Sequence, residues 1–140
     1  MITAIRITGQ IGLNSDVVET FNRLRMQKKY TCVLIKDSKE VLGMLRKVKD
    51  FIAFGELDEA TLVELLKARG KIIGDSKGKV KDAEKVAKEL IGGKKLEELG
   101  IKPYFGLHPA RGGLNTKLHY PRGVLGNHKE KINELIRRML

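Results

Sequence analysis

The residues best suited to chemistry are Leu107-His108-Pro109-Ala110-Arg111-Gly112-Gly113. Two glycines after an arginine let backbone amides come close to a phosphate, and the Arg111 guanidinium offers a planar fork of donors to a phosphate or a base edge. Tyr104, Phe105 and Tyr120 stand nearby, either as stacking surfaces for unpaired bases or, Phe105 above all, as plugs of the core. The stretch sits inside a longer one, Leu99 to Lys129, that holds no acidic residue but carries Lys102, Arg111, Lys117, Arg122, Lys129 and all 3 histidines. Such a composition recognises a polyanion, and nucleic acid is the polyanion it suits.

Other constellations carry less. Gly9-Gln10-Ile11-Gly12-Leu13-Asn14 lies between a strand pattern and a helix start, where free amides favour an anion, so it is either a plain tight turn or a phosphate contact. It lacks the Lys-Ser/Thr ending of a P-loop and the spacing of a dinucleotide fingerprint. Leu42 to Asp50 joins an apolar stripe to Arg46, Lys47 and Lys49. Gly43 there costs a helix roughly 1 kcal/mol relative to alanine, which points to the close approach of another backbone, that of RNA or of the sheet. Arg23, Arg25, Lys28 and Lys29 serve either the dipole of the first helix or a phosphate. His108, His119 and His128 match no common metal-ligand spacing, so they are expected to be structural or RNA-facing, with no metal and no cofactor. No nucleophile motif or paired-carboxylate site is present, because Asp16 with Glu19 and Asp37 with Glu40 read as helix caps. Catalysis is therefore not expected.

Composition sets the frame. The 140 residues include 28 basic and 17 acidic side chains, a net charge of +11 that argues for a polyanionic partner. Residues 1–57 hold 10 basic and 6 acidic residues, 58–100 hold 10 and 9, and 101–140 hold 8 and 2, so the excess lies at the two ends. The single cysteine, Cys32, precludes an internal disulfide and fits a reducing compartment. No apolar run approaches the roughly 20 residues of a membrane span, and the N-terminus has no signal-peptide layout, so a cytoplasmic location is expected. Abundant Lys and Glu with 2 glutamines fit a heat-tolerant source.

The elements that must position these residues follow from hydrophobic period. Ile2 to Thr8 alternates as a strand, with Thr3, Ile5 and Ile7 on one face and Ala4, Arg6 and Thr8 on the other. A helix follows to about Met26, then a central strand Thr31 to Lys36, a helix to about Val48, and a short strand Phe51 to Gly55. The result is a β-α-β-α-β core with two right-handed crossovers. Residues 58–140 are expected to be a mostly helical extension: a helix from Asp58 to Arg69, a polar turn region over 71–79, a helix around Ala83 to Leu90, and a short helix from Lys94 to Leu99. The glycine- and proline-rich arm 99–129 is expected to be loop or irregular extended chain. A helix over 127–139, opened by Asn127 with Glu130, closes the chain.

Taken together, Gln10-Ile11-Gly12, Gly43-Met44, Lys47-Val48-Lys49-Asp50-Phe51, Ala53-Phe54-Gly55-Glu56, Leu107-His108-Pro109, Arg111-Gly112-Gly113 and Leu125-Gly126-Asn127 resemble the large-subunit ribosomal protein family numbered thirty in bacteria and seven in eukaryotes. The likeness spans nearly the whole chain and is strongest to the archaeal type. It implies a ferredoxin-like α/β (α+β) core over 1–57 with a helical extension over 58–140 bearing the basic loop. It also implies a structural, non-catalytic role on the ribosome and binding to large-subunit ribosomal RNA, with neighbouring ribosomal proteins as further partners and no small-molecule substrate. The RNA-facing set is Gln10, Arg25, Arg46, Lys47, Lys49, His108, Arg111, Lys117, His119, Arg122 and His128. Ala110 stands where family members often have proline, and Leu42 where many have arginine. Two rival readings are a small phosphate-binding enzyme on a ferredoxin-like scaffold, using the Gly9 to Leu13 turn, and a protein-interaction module.

Overall fold

The computed structural model describes residues 1–114 and 116–140. Five strands form its main sheet, in the spatial order Phe105–Gly106 (β6), Thr31–Ile35 (β2), Ile2–Arg6 (β1), Ile52–Glu56 (β3) and Gly126–Lys129 (β7). Ile2 lies opposite both Ile35 and Glu56, so β1 is antiparallel to both neighbours, and β2 and β3 run parallel on either side of it. This mixed sheet with five helices is consistent with a ferredoxin-like α+β fold.

Of the two expected crossovers, one joins parallel strands: β2, the helix Lys39–Lys47 (α2) and β3 form a split β-α-β unit with β1 inside it. The helix Ser15–Arg23 (α1) instead links antiparallel neighbours. Residues 24–30 carry the chain back to where β1 stopped, and the Tyr30 N–H donates to the Arg6 carbonyl at 2.7 Å. The handedness rule applies only to parallel pairs, so it does not govern this link.

The sheet is covered on both faces, which explains why every residue of β1 is buried, polar ones included. Ile2, Ala4, Val33 and Ile52 pack with Val17, Phe21, Leu45 and Val48 beneath α1 and α2. Ile5, Ile7, Cys32 and Ala53 meet Leu62, Leu65 and Leu66 of Glu59–Arg69 (α3), Ala87 of Ala83–Ile91 (α4), and Ile132 and Ile136 of Ile132–Met139 (α5). Each such leucine or isoleucine contributes about 1.5–3 kcal/mol of burial. The extension is thus the second half of the core, and its β6 and β7 complete the sheet's edges.

Several expectations are corrected. Residues 71–79 are a hairpin of Lys71–Ile72 (β4) and Asp75–Lys79 (β5), turned at Gly74 with φ of +89°. Residues 94–95 are irregular and 96–100 form a turn in place of the expected helix. The arm is anchored at both ends, since Phe105 pairs with Cys32 and Gly126 with Ala53. Asn127 therefore belongs to β7, where its Oδ1 accepts from the Lys129 N–H at 2.9 Å, and α5 starts five residues later, at Ile132. Capping shifts as well: Ser38 Oγ accepts from the Val41 N–H at 3.2 Å, and Asn14 holds the N-cap position of α1. At Gly55 a Cβ would overlap the Lys129 carbonyl, so glycine is what lets β7 approach β3.

Candidate nucleic-acid interface

Connectivity decides where the basic residues go. β1 ends where β2 and β3 begin, and at that end the Ile7 N–H donates to the Phe51 carbonyl at 3.0 Å. The segments 7–14, 26–30 and 48–51 therefore crowd one end of the sheet. The arm arrives there too: the Leu107 N–H donates to the Tyr30 carbonyl at 3.0 Å, and the His108 and Arg111 N–H groups donate to the Met139 and Arg138 carbonyls, each at 2.9 Å. Gln10, Lys28, Lys29, Arg46, Lys47, Lys49, His108, Arg111, Lys117, His119 and Arg122 thus share this end, although they are scattered over the sequence. Asp37, Glu40, Glu56, Asp58, Glu59, Glu130 and Glu134 lie where β2, β3 and β7 finish, at the other end, outnumbering Lys36, Lys39, Lys129 and Lys131 there, whereas the basic end holds Asp16 and Asp50 among its many cations. The molecule is electrically polar along its strands.

The arm's shape is built from its own backbone. Between Thr116 and Leu125 the chain folds on itself, with Val124 N–H donating to Thr116 O at 3.2 Å, Leu125 N–H to Leu118 O at 3.1 Å and Tyr120 N–H to Leu125 O at 2.8 Å. A Cβ at Gly123 would overlap the Thr116 and Leu118 carbonyls, so this fold-back requires glycine. Arg138 on α5 braces the preceding turn: its Nε donates to the Arg111 carbonyl at 3.1 Å and its Nη2 to the Gly113 carbonyl. Arg111 is thereby presented with its guanidinium outward. Arg46, Lys47, Lys49, Arg111, Lys117 and Arg122 are exposed and pair with no carboxylate among the described residues.

Other expected residues are occupied elsewhere. His128 is buried; its Nε2 donates to the Val124 carbonyl at 2.6 Å and its ring packs on Tyr120 at 4.7 Å, so it is structural. Burial holds its pKa below the ordinary histidine value, against a smaller opposing effect of the Val124 hydrogen bond. Arg25 is engaged by Glu97 of the extension, and Gln10 Nε2 donates to the Gln27 carbonyl at 2.7 Å. His119 stays half-exposed but bonds Asp50 at 2.7 Å, while His108 is exposed. Among the aromatics, Phe105 is buried in the core, Tyr120 packs on His128 and Tyr104 is exposed. At Gly43 nothing of the protein lies within 4 Å of where a Cβ would stand, so the sheet is not the neighbour that its glycine accommodates.

Cys32 is fully buried, and burial pushes its thiol up to about 12 despite the hydrogen bond with Thr3, so it is not a nucleophile at neutral pH. Among the described residues no three of His, Cys, Asp and Glu gather in a metal-binding group, and no helix is long and apolar enough to cross a membrane.

The family described as Ribosomal protein L30p/L7e matches residues 2–52. Curated relatives extend the likeness to the whole chain. The large ribosomal subunit protein uL30 of Archaeoglobus fulgidus is 41% identical over 99% of each chain. That of Desulfurococcus amylolyticus is 42% identical over 97% of this chain and 96% of its own, and that of Methanococcus maripaludis 36% over 97% of both.

This chain belongs to the uL30 family.

Within the uL30 frame, the two departures noted in the sequence find physical reasons. Ala110 is 8% exposed and packs into the core beside Leu107, where a small apolar group fits. Leu42 is half-buried against the cluster under α1 and α2, which makes it a packing residue. Sequence reasoning missed Arg6 and Arg138, the two braces of the basic end. A lone arginine in an apolar strand was the available signal for Arg6; Arg138 had none, because its role depends on where α5 ends.

Proposed function

We propose that this uL30-family protein is a structural, non-catalytic constituent of the large ribosomal subunit, held there by its basic end against large-subunit ribosomal RNA. Arg111, Lys117 and Arg122 of the arm, Arg46 and Lys47 in the last turn of α2 and Lys49 just after it meet phosphates, with His108 and His119 beside them. Residues 1–57 serve as the RNA-binding core, and 58–140 as the extension that carries the arm. Neighbouring ribosomal proteins are its other partners, and the ribosome in the cytoplasm is its place of action.

One observation carries this reading: six cations drawn from two distant stretches of sequence stand at one end of the sheet, exposed and without carboxylate partners among the described residues. Uncompensated charge at one end repels itself in the free protein and is relieved by a polyanion. Sedimentation of a cell extract through a sucrose gradient tests the proposal. The protein is expected to travel with large subunits at low salt and to be released as salt rises. Recovery at the top of the gradient at low salt would overturn it.

A further inference from the structure

The tip of the β1–α1 connection carries an apolar side chain that the fold leaves wholly uncovered. Ile11 is 100% exposed, whereas the other exposed large apolar residues range from 41% to 55%. A single exposed isoleucine is ordinary on a protein surface; what sets Ile11 apart is its complete exposure on a loop that is held at its base. Arg6, 2% exposed in β1, donates from Nη1 to the Met26 and Gln27 carbonyls at 2.7 and 2.9 Å, from Nε to Thr8 O at 3.1 Å, and from Nη2 to Gly9 O at 3.0 Å. Its guanidinium also lies 4.1 Å from the centre of the Phe21 ring. Gln10 adds the bond to Gln27, and Gly12 turns the tip with φ of +77°. A groove containing Val18 and Phe21 lies alongside, yet Ile11 does not fold into it.

The surroundings indicate what Ile11 meets. Gln27, which ties the loop, is followed by Lys28 and Lys29. Thr8, at the loop's base, donates its N–H to Phe51 O at 3.3 Å, next to the turn bearing Lys49. Asp50 in that turn is engaged by His119, and Asp16 opens α1 behind the tip. An apolar tip at the basic end of the molecule, on the same side as Lys28, Lys29 and Lys49, suits RNA better than an apolar protein pocket.

We propose that Ile11 is the part of the basic end that packs on base and ribose surface of the RNA, while the cations hold phosphates. Unpaired bases and the wide, shallow minor groove of A-form RNA both offer such surface. The inference rests on the RNA reading above. It also makes a distinct claim, because an apolar contact releases no counterion and leaves the salt dependence of binding unchanged.

Binding of the full-length protein to purified large-subunit ribosomal RNA, titrated across salt concentrations, tests it. Ile11→Ala is expected to weaken binding about tenfold at every salt concentration, with an unchanged slope. Melting temperature should not move, since the side chain covers nothing. Arg111→Ala, by contrast, flattens the slope. Wild-type affinity in Ile11→Ala, or a changed slope, would overturn the inference while leaving the RNA reading standing. Salt-insensitive or absent binding by the wild type would overturn both.

Discussion

Nε2 of His119 lies 2.7 Å from Oδ1 of Asp50, joining residues 69 apart in sequence. The contact fastens the fold-back of the arm to the turn between α2 and β3, and so sets Lys117 and Arg122 beside Lys49. Both partners are about half-exposed, so the pair contributes on the order of 0.2–1 kcal/mol and weakens with salt. Asp50→Ala should therefore leave the melting temperature within a few degrees of wild type while raising amide exchange over residues 116–125. Hydrogen exchange followed by mass spectrometry reads this directly.

His128 makes folding sensitive to acid. Burial depresses its pKa in the folded protein, so the unfolded chain takes up the proton first as pH falls. The contribution is fully present above the unfolded value of about 6.5 and is lost as pH drops from there through the folded value. Urea midpoints should be flat from pH 8 to 7 and decline below about 6.5. His128→Gln, which keeps a donor for the Val124 carbonyl, should lower stability but flatten that decline.

Gly43 offers a test in which stability and binding move oppositely. Its helix position is open, so Gly43→Ala should stabilise the free protein by about 0.5–1 kcal/mol, raising the melting temperature by about 2 °C. If an RNA backbone approaches this face of α2, the other neighbour the sequence allowed for Gly43, the added methyl should weaken RNA binding several-fold; unchanged binding would leave this face outside the interface. Calorimetry and a filter-binding assay on one preparation give both values.

Arg6 holds the strand end, two turns and the Phe21 ring together from within the core. Lysine cannot supply a fork of donors to four carbonyls, so Arg6→Lys should lower stability by about 3 kcal/mol, read as a shift of the urea midpoint.

Ile2–Arg6 was readable as a strand from its β-branched residues, although both of its faces are buried, and Glu59–Arg69 was readable as a helix because Leu62, Leu65 and Leu66 recur at helical spacing on its buried side. The hairpin over 71–79 was not, since Asp75–Lys79 has no apolar alternation and is held by a two-residue turn. The arm's anchoring was also hidden, because Phe105 meets Cys32 and Gly126 meets Ala53 through contacts far apart in sequence. At the candidate interface, charge was visible in the composition, but burial was not. His108, His119 and His128 sit in similar glycine-rich surroundings, and only the packing of Tyr120 and the Val124 carbonyl distinguishes the buried one.

The central claim is that the arm's cations are held out to neutralise phosphates. The direct measurement is the salt dependence of binding to purified large-subunit ribosomal RNA for wild type and for the triple variant Arg111→Ala/Lys117→Ala/Arg122→Ala. Each lost phosphate contact removes about 0.7–0.9 from the slope of log K against log salt, so the variant's slope should be shallower by about 2–3, with its melting temperature no lower than that of the wild type. An unaltered slope, with the variant folded and bound as tightly as wild type, would contradict the account.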